Sequence, residues 1–259
     1  MSLVALPFVN WIFWGALAGG TLLAVGMTEW LGGTTRGYRL FMAVAVLVGA
    51  LVWLASEMGL AAVPGTAATA ELRRILVAAF AAVAAAYLFA SLARWPRAGL
   101  ALGGGVVGVA ALVTLAAAGG TASPALFAAG LATAALALGS VTAAMLLGHW
   151  YLVTPQLSPA PLQRLIWLLI GALAVQGLVA VWSVVSSGGA PFEDGLAWLA
   201  WLRFGVGIAF PIGVAILALL ATRATSLQAT TGLLYIGLAL VMAGTIGSAA
   251  LSYLGGTPV

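Results

Sequence analysis

Long runs of apolar residues, separated by short breaks rich in glycine, proline and arginine, dominate the chain. A helix needs about 20 mostly apolar residues to cross a bilayer, and each run reaches that length. The runs lack the alternation of polar and apolar residues typical of β-barrel strands, so a barrel fits this sequence badly. The sequence therefore predicts an all-α polytopic membrane protein with eight transmembrane helices. Their predicted limits are residues 8–31, 38–60, 72–93, 99–119, 124–152, 162–185, 196–221 and 227–254.

The composition agrees with this prediction and excludes several classes of protein. Of the 259 residues, 64% are hydrophobic and only 5% are charged, against about 25% charged residues in an average soluble domain. Too few charges remain to cover a surface in water, which excludes a cytosolic enzyme. Nucleic acid is excluded as a partner because the cations are scattered between apolar runs. The bilayer is the expected surrounding.

The shortage of ligating side chains restricts the cofactors. The chain has no cysteine and a single histidine, His149. Disulfides, cysteine-ligated zinc or iron–sulfur sites and a haem held by two histidines of this chain are excluded. We therefore expect no covalent cofactor and no metal, and a quinone is the cofactor that stays open.

The chain has nine arginines and no lysine. The distribution of these arginines along the chain predicts the orientation of the protein in the membrane. Six arginines fall after odd-numbered spans, while three arginines and three acids fall on the other side. The side richer in arginine is expected to be cytoplasmic, which places both termini outside a bacterial inner membrane. The six are Arg36, Arg39, Arg94, Arg97, Arg164 and Arg223; opposite them are Arg73, Arg74, Arg203, Glu71, Glu193 and Asp194.

The two halves of the chain can be aligned, which predicts a duplication. Residues 1–120 and 121–259 would each form a four-helix transmembrane repeat. An even number of spans in each unit makes the repeats parallel, related by an axis along the membrane normal. The aligned pairs are Glu29 with His149, Trp30 with Trp150, Arg39 with Arg164, Arg74 with Arg203, and Arg94 with Arg223.

Ionisable groups at bilayer depth are costly and are functional hypotheses by default. Glu29 and His149 end the first and fifth spans at the same repeat position, and each is followed by a tryptophan, Trp30 or Trp150. With the hydroxyl of Tyr151, these groups could relay protons or hydrogen-bond a quinone head group. The alternative is an aromatic belt that carries an interfacial glutamate and histidine.

Two further candidates lie toward the outer side. Glu57 lies near the end of the second span, where it either binds a ligand, snorkels to the surface or pairs with Arg203 or Arg74. Arg203 is either buried within the seventh span or exposed at its edge. We favour the second arrangement, with residues 196–202 flat on the interface, the span beginning at Phe204 and Arg203 snorkelling.

The first span resembles a known family. Residues 11–23 read WIFWGALAGGTLL, and this aromatic entry followed by a Gly/Ala run is similar to the opening helix of the NrfD/PsrC/DmsC membrane subunits. The resemblance implies two four-helix bundles, a quinone as redox partner and an attached iron–sulfur protein as a further subunit. It suggests an integral membrane subunit of a respiratory or redox complex that binds quinone or relays protons without its own haem or metal.

Two other functions stay open, as does the question of whether the chain catalyses a reaction itself. A small transporter for an apolar substrate would use movements of the two repeats, with Pro211 bending the seventh span at a gate. Few polar groups lie at mid-span, which disfavours ionic or sugar substrates. A structural accessory subunit of a larger membrane complex would need neither a site nor a gate.

Overall fold

The computed structural model describes residues 5–60, 63, 65–118, 123–154, 157–189, 192, 195 and 197–255, and all long elements in them are helices. Eight of these helices are long and apolar enough to cross a membrane, which confirms the predicted all-helical fold and the predicted number of helices of spanning length in the described residues. They are α1 (Ala5–Leu31), α2 (Arg36–Leu60), α3 (Ala70–Ala93), α4 (Ala98–Ala117), α5 (Pro124–Val153), α6 (Ala160–Ser186), α7 (Ala197–Arg223) and α8 (Leu227–Gly255). A short 3-10 turn, Ala67–Thr69, precedes α3.

The helix limits follow the predicted spans, with one correction. Residues 119 and 196, which we took as span limits, and the acids Glu193 and Asp194 lie outside the described residues. The seventh span does not begin at Phe204, because α7 is helical from Ala197 onward. The tryptophans that suggested a separate interfacial segment are instead exposed on the first turns of this helix.

A π-turn interrupts α7 over Gly205–Ala209. The N–H of Phe210 donates to the carbonyl oxygen of Gly205, five residues back, which is the π-type spacing. Pro211 follows at once and has no N–H to donate to Gly207. The predicted irregularity at Pro211 therefore takes the form of a widened turn.

Helices α1 and α5 form the centre of the bundle. In their most apolar stretches 72% of the residues are buried, against 33% to 50% in the other six helices. Glycine allows this closeness, since a Cβ atom on Gly20 would collide with the backbone of Ala135, and one on Gly139 with the backbone of Gly20. The two helices thus meet backbone to backbone, as small residues permit in membrane proteins.

The other helices pack around this centre in the same order in each half. Helix α1 packs against α2 and α4, and α5 packs in the same way against α6 and α8. Helix α3 fills the space between α2 and α4, and α7 fills the space between α6 and α8. Each central helix also contacts the fourth helix of the other half.

The start of α1 and the end of α8 lie at the same end of the bundle, where the rings of Phe8 and Tyr253 are 5.4 Å apart. We call this end the terminal side and the opposite end, which carries the loops after α1, α3, α5 and α7, the arginine side. Large apolar side chains point outward between the two ends. On α2 they recur at helical spacing, which marks one continuous exposed apolar stripe: Phe41, Val44, Val48 and Leu51.

Candidate functional site

A buried ion pair joins α2 to α3 on the terminal side. Both Nε and Nη2 of Arg73 lie 2.8 Å from Oε1 of Glu57. The indole N–H of Trp11 on α1 donates to the other carboxylate oxygen at 2.6 Å. Nη1 of Arg73 donates to the carbonyl oxygen of Thr66 at 2.9 Å, and its guanidinium lies over the Trp11 ring, 5.7 Å from the centroid. We call these four residues the Glu57 cluster.

Because the Glu57 cluster is buried, each of its charged groups depends on the other. Arg73 is 0% exposed and Glu57 is 5% exposed. Charges buried this deeply must be paired and hydrogen-bonded, because the loss of hydration costs several kcal/mol for each ion. The carboxylate and the guanidinium each have their charge neutralised by the other, and Trp11 supplies an additional donor. The cluster therefore fixes α1, α2 and α3 relative to one another.

The partner of Glu57 differs from both residues that we expected. Arg74 is exposed, and the partner is its neighbour Arg73. The signal was present in the sequence, since Arg73 precedes Val77, Phe80, Ala84 and Tyr87 at spacings of three or four residues, and these are the buried positions of α3. Helical spacing therefore places Arg73, but not Arg74, on the buried face of α3.

A lateral groove of about 710 Å³ opens beside the Glu57 cluster. It lies between α1, α2 and α8 and is mostly apolar. Two polar side chains line it: Asn10, whose Oδ1 accepts from the indole N–H of Trp14 at 3.1 Å, and Ser56, whose hydroxyl donates to the carbonyl oxygen of Trp53 at 2.6 Å. The lining residues are Leu6, Pro7, Val9, Asn10, Phe13, Ala55, Ser56, Gly59 and Ile246.

The groove and the Glu57 cluster are formed by adjacent residues of the same two helices, α1 and α2. Asn10 directly precedes Trp11 on α1, and Ser56 directly precedes Glu57 on α2. The helices thus present one residue of each pair to the groove and the next to the buried ion pair. No feature of the sequence predicted the groove, because it depends on the angle at which α1, α2 and α8 diverge.

Glu29 belongs to a second cluster on the arginine side. Its carboxylate accepts from the Tyr87 hydroxyl at 2.7 Å and lies 3.3 Å from Nε of Arg97. Nε of Arg39 is 3.9 Å away. Its side chain is only 5% exposed, whereas the neighbouring Trp30 is 71% exposed. Tyr87 and Arg97 were not among the predicted site residues.

His149 lies in different surroundings. It is exposed, and its Nδ1 is 3.5 Å from the Tyr235 hydroxyl on α8. Trp150 packs over Gly37, and buried Tyr151 donates to the carbonyl oxygen of Ser158 at 2.8 Å.

The structure therefore does not join Glu29 and His149 through any hydrogen bond or ion pair of the described residues. The partners of Glu29 come from α2, from α3 and from the residue before α4. The partner of His149 comes from α8. Glu29, Trp30, His149, Trp150 and Tyr151 thus form separate contacts at one end of the bundle.

Arg203 is buried rather than snorkelling, with 2% of its surface exposed. Its side chain lies beside Gly207 in the π-turn of α7. No described residue accepts a hydrogen bond from its Nε, and no described carboxylate lies within 4 Å of it. It is not the partner of Glu57.

Metal ligands are sparse in the part of the chain that the structure describes, where no three His, Asp or Glu side chains form a group. Comparison with known proteins adds no relative: no protein-family model, curated protein or solved structure matches this chain.

Proposed function

We propose that the chain is an integral membrane subunit of a quinone-linked redox complex and binds quinone or quinol in the lateral groove. The groove is the observation that carries this proposal. Its volume of about 710 Å³ falls within the range of small-molecule sites, about 300–1,000 Å³. Its apolar walls suit an isoprenoid chain, and its side opening suits a ligand that arrives from the bilayer.

Two polar side chains can orient a head group at this site. The Asn10 amide and the Ser56 hydroxyl lie on facing helices of the groove. Both can hydrogen-bond a quinone carbonyl or a quinol hydroxyl. This location moves the proposed site away from Glu29 and His149 to the end of the bundle that holds Glu57.

The Glu57 cluster supports the site from behind. It holds the three helices that carry Asn10, Ser56 and Arg73 in place. No metal or haem of this chain enters the proposal.

The family resemblance and the packing order support the architecture that goes with this function. In each half the first helix packs against the second and fourth, and the third helix fills the gap between them. We propose that residues 1–120 and 121–259 are parallel four-helix repeats. The orientation, with both termini outside a bacterial inner membrane, rests on the six arginines of the arginine side.

Quinone binding can be measured on the purified chain in lipid nanodiscs, with decylubiquinone as the probe. Quinones quench indole fluorescence, and the indole N–H of Trp14 donates to Asn10, a lining residue of the groove. Gly59 lines the groove, so Gly59→Leu should fill part of it. We expect this variant to bind at least about tenfold more weakly, equivalent to about 1.4 kcal/mol.

The matched control is Gly213→Leu, the same change at an exposed glycine of α7 with open space around its Cβ. It should bind like the wild type. Equal binding by Gly59→Leu and Gly213→Leu, or no saturable quenching in the wild type, would disprove the groove as a quinone site.

One observation favours a second candidate, a small transporter for an apolar substrate. The π-turn and Pro211 give α7 a weakened point beside its contact with α8 at Gly207 and Gly244. Uptake of a lipophilic substrate by proteoliposomes that contain this chain alone would favour transport. If instead a complex copurifies with the chain and keeps full activity without it, the chain is a structural accessory subunit.

A further inference from the structure

We infer that the arginine side carries a binding site for the head group of an acidic phospholipid, between α6 and α7. The site consists of Arg164, Trp167 and Arg223. Cζ of Arg223 lies 5.9 Å from the centre of the Trp167 ring. Arg164 is three residues before Trp167 on α6, a spacing that places two side chains on the same face. One exposed indole thus has an arginine over its ring and a second arginine one helical turn earlier on the same helix.

The two guanidiniums have no counter-ion in the part of the chain that the structure describes. Among the described residues, no carboxylate lies within 4 Å of Arg164 or Arg223. Arg164 uses Nη1 to donate to the carbonyl oxygens of Leu31 and Gly32, which holds its orientation and leaves other donors free. An arginine has five N–H donors in a fork that matches phosphate geometry.

The contrast with the first half sharpens this inference. Under the proposed repeat, Arg164 corresponds to Arg39, and Arg39 has Glu29 at 3.9 Å. The position of Glu29 is taken by His149 in the second half. The acid that neutralises one arginine cluster is therefore absent from the other, and an external anion would fill the same role.

The surface below the cluster suits acyl chains. Leu217 and Leu220 are exposed on α7, toward the middle of the bundle from Arg223. Gly171 on α6 has open space where a side chain would be. Phosphate contacts at the end of two helices and an apolar surface below them together match a lipid, since basic sites between membrane helices bind acidic head groups.

Native mass spectrometry of the detergent-solubilised chain tests this inference, with phosphatidylglycerol and phosphatidylcholine of the same acyl chains as probes. We expect preferential binding of one phosphatidylglycerol. The double variant Arg164→Gln/Arg223→Gln should weaken it about thirtyfold, from about 1 kcal/mol for each arginine. The control Arg36→Gln/Arg74→Gln removes the same charge at other exposed positions and should change binding less than about twofold.

Three results would overturn the inference: equal affinity for both lipids, unchanged binding by the Arg164/Arg223 variant, or displacement of the lipid by low millimolar glycerol phosphate, which would indicate a soluble anion as the ligand. The inference rests on the proposed membrane location but not on the quinone. Quinone quenching at the groove, measured on the same double variant, should stay unchanged and distinguishes failure of one proposal from failure of the other.

Discussion

At the scale of single residues, the pairing of Glu57 with Arg73 connects three helices through charge. The carboxylate accepts hydrogen bonds from Nε of Arg73 and from the indole N–H of Trp11, Nη2 of Arg73 lies at ion-pair distance, and both charged groups are buried. A buried pair of this kind contributes little net stability compared with two apolar residues, but the loss of one member leaves the other charge unpaired.

This asymmetry gives a prediction for Glu57→Ala. The free energy of unfolding should fall by about 3–5 kcal/mol, because the Arg73 charge stays buried without a partner. The double variant Glu57→Met/Arg73→Met should recover most of this loss. Reversible unfolding in mixed micelles measures both, with Glu71→Ala, an exposed acid of α3, as the control. An unchanged free energy of unfolding in Glu57→Ala would contradict the assigned pairing.

The Tyr87 hydroxyl provides a second prediction at this scale. It donates to Glu29 at 2.7 Å, so Tyr87→Phe should lower the free energy of unfolding by about 1.5–3 kcal/mol, as for a hydrogen bond to a charged group. Tyr253→Phe removes a hydroxyl that has no hydrogen bond to any residue the structure describes, and it serves as the comparison. Equal effects of the two changes would argue against the Glu29 contact as an ordered interaction.

The sequence predicted which single residues are unusual better than it predicted their partners. Glu29, Glu57 and His149 stand out because ionisable side chains are rare in apolar runs. Their partners depend on the rotation of neighbouring helices about their axes. Arg73 and Arg74 differ by 100° in helical phase, and only the first faces the interior. Aligned positions do not imply shared contacts, as the different surroundings of Glu29 and His149 illustrate.

At the scale of helices, the close approach of α1 and α5 depends on glycine. Gly139 faces the backbone of Gly20, whereas Gly130, two and a half turns earlier on α5, has open space around it. The same substitution should therefore have opposite effects at these two positions of one helix.

Gly130→Ala should stabilise the fold by up to about 1 kcal/mol, the difference in helix propensity. Gly139→Ala should destabilise it by at least about 3 kcal/mol, because the new methyl group requires the backbones of α1 and α5 to separate. Thermal unfolding and the yield of monodisperse protein report both changes. The same sign at both positions would show that the central contact is looser than described.

Helix positions were predictable because an apolar run of sufficient length has few alternatives in lipid. The start of α7 could not be predicted in this way, since the tryptophans before Arg203 suit an interfacial segment as well as a first helical turn. The π-turn was also missed. It inserts one residue without changing the apolar character of Gly205–Ala209. The hydropathy pattern therefore does not reveal the π-turn.

At the scale of the whole molecule, the start of α1 and the end of α8 lie at the end of the bundle opposite the six arginines. A chain without cysteine allows this orientation to be tested with single introduced thiols. Ala68→Cys lies on the terminal side and Ser226→Cys on the arginine side, both at exposed positions. In intact cells an impermeant maleimide should label the first variant alone, and after permeabilisation both. The reverse pattern would contradict termini outside the cytoplasm.

The central position of α1 has a consequence for synthesis of the chain. Helix α1 ends at Leu31 and its neighbour α5 at Val153, so at about 10 residues per second the ribosome completes α1 roughly ten seconds before α5. During this interval the surface of α1 around Gly20, which packs against α5 in the finished fold, has no final partner. The first four helices must keep that surface open, and the nascent half-bundle closes when the fifth helix arrives.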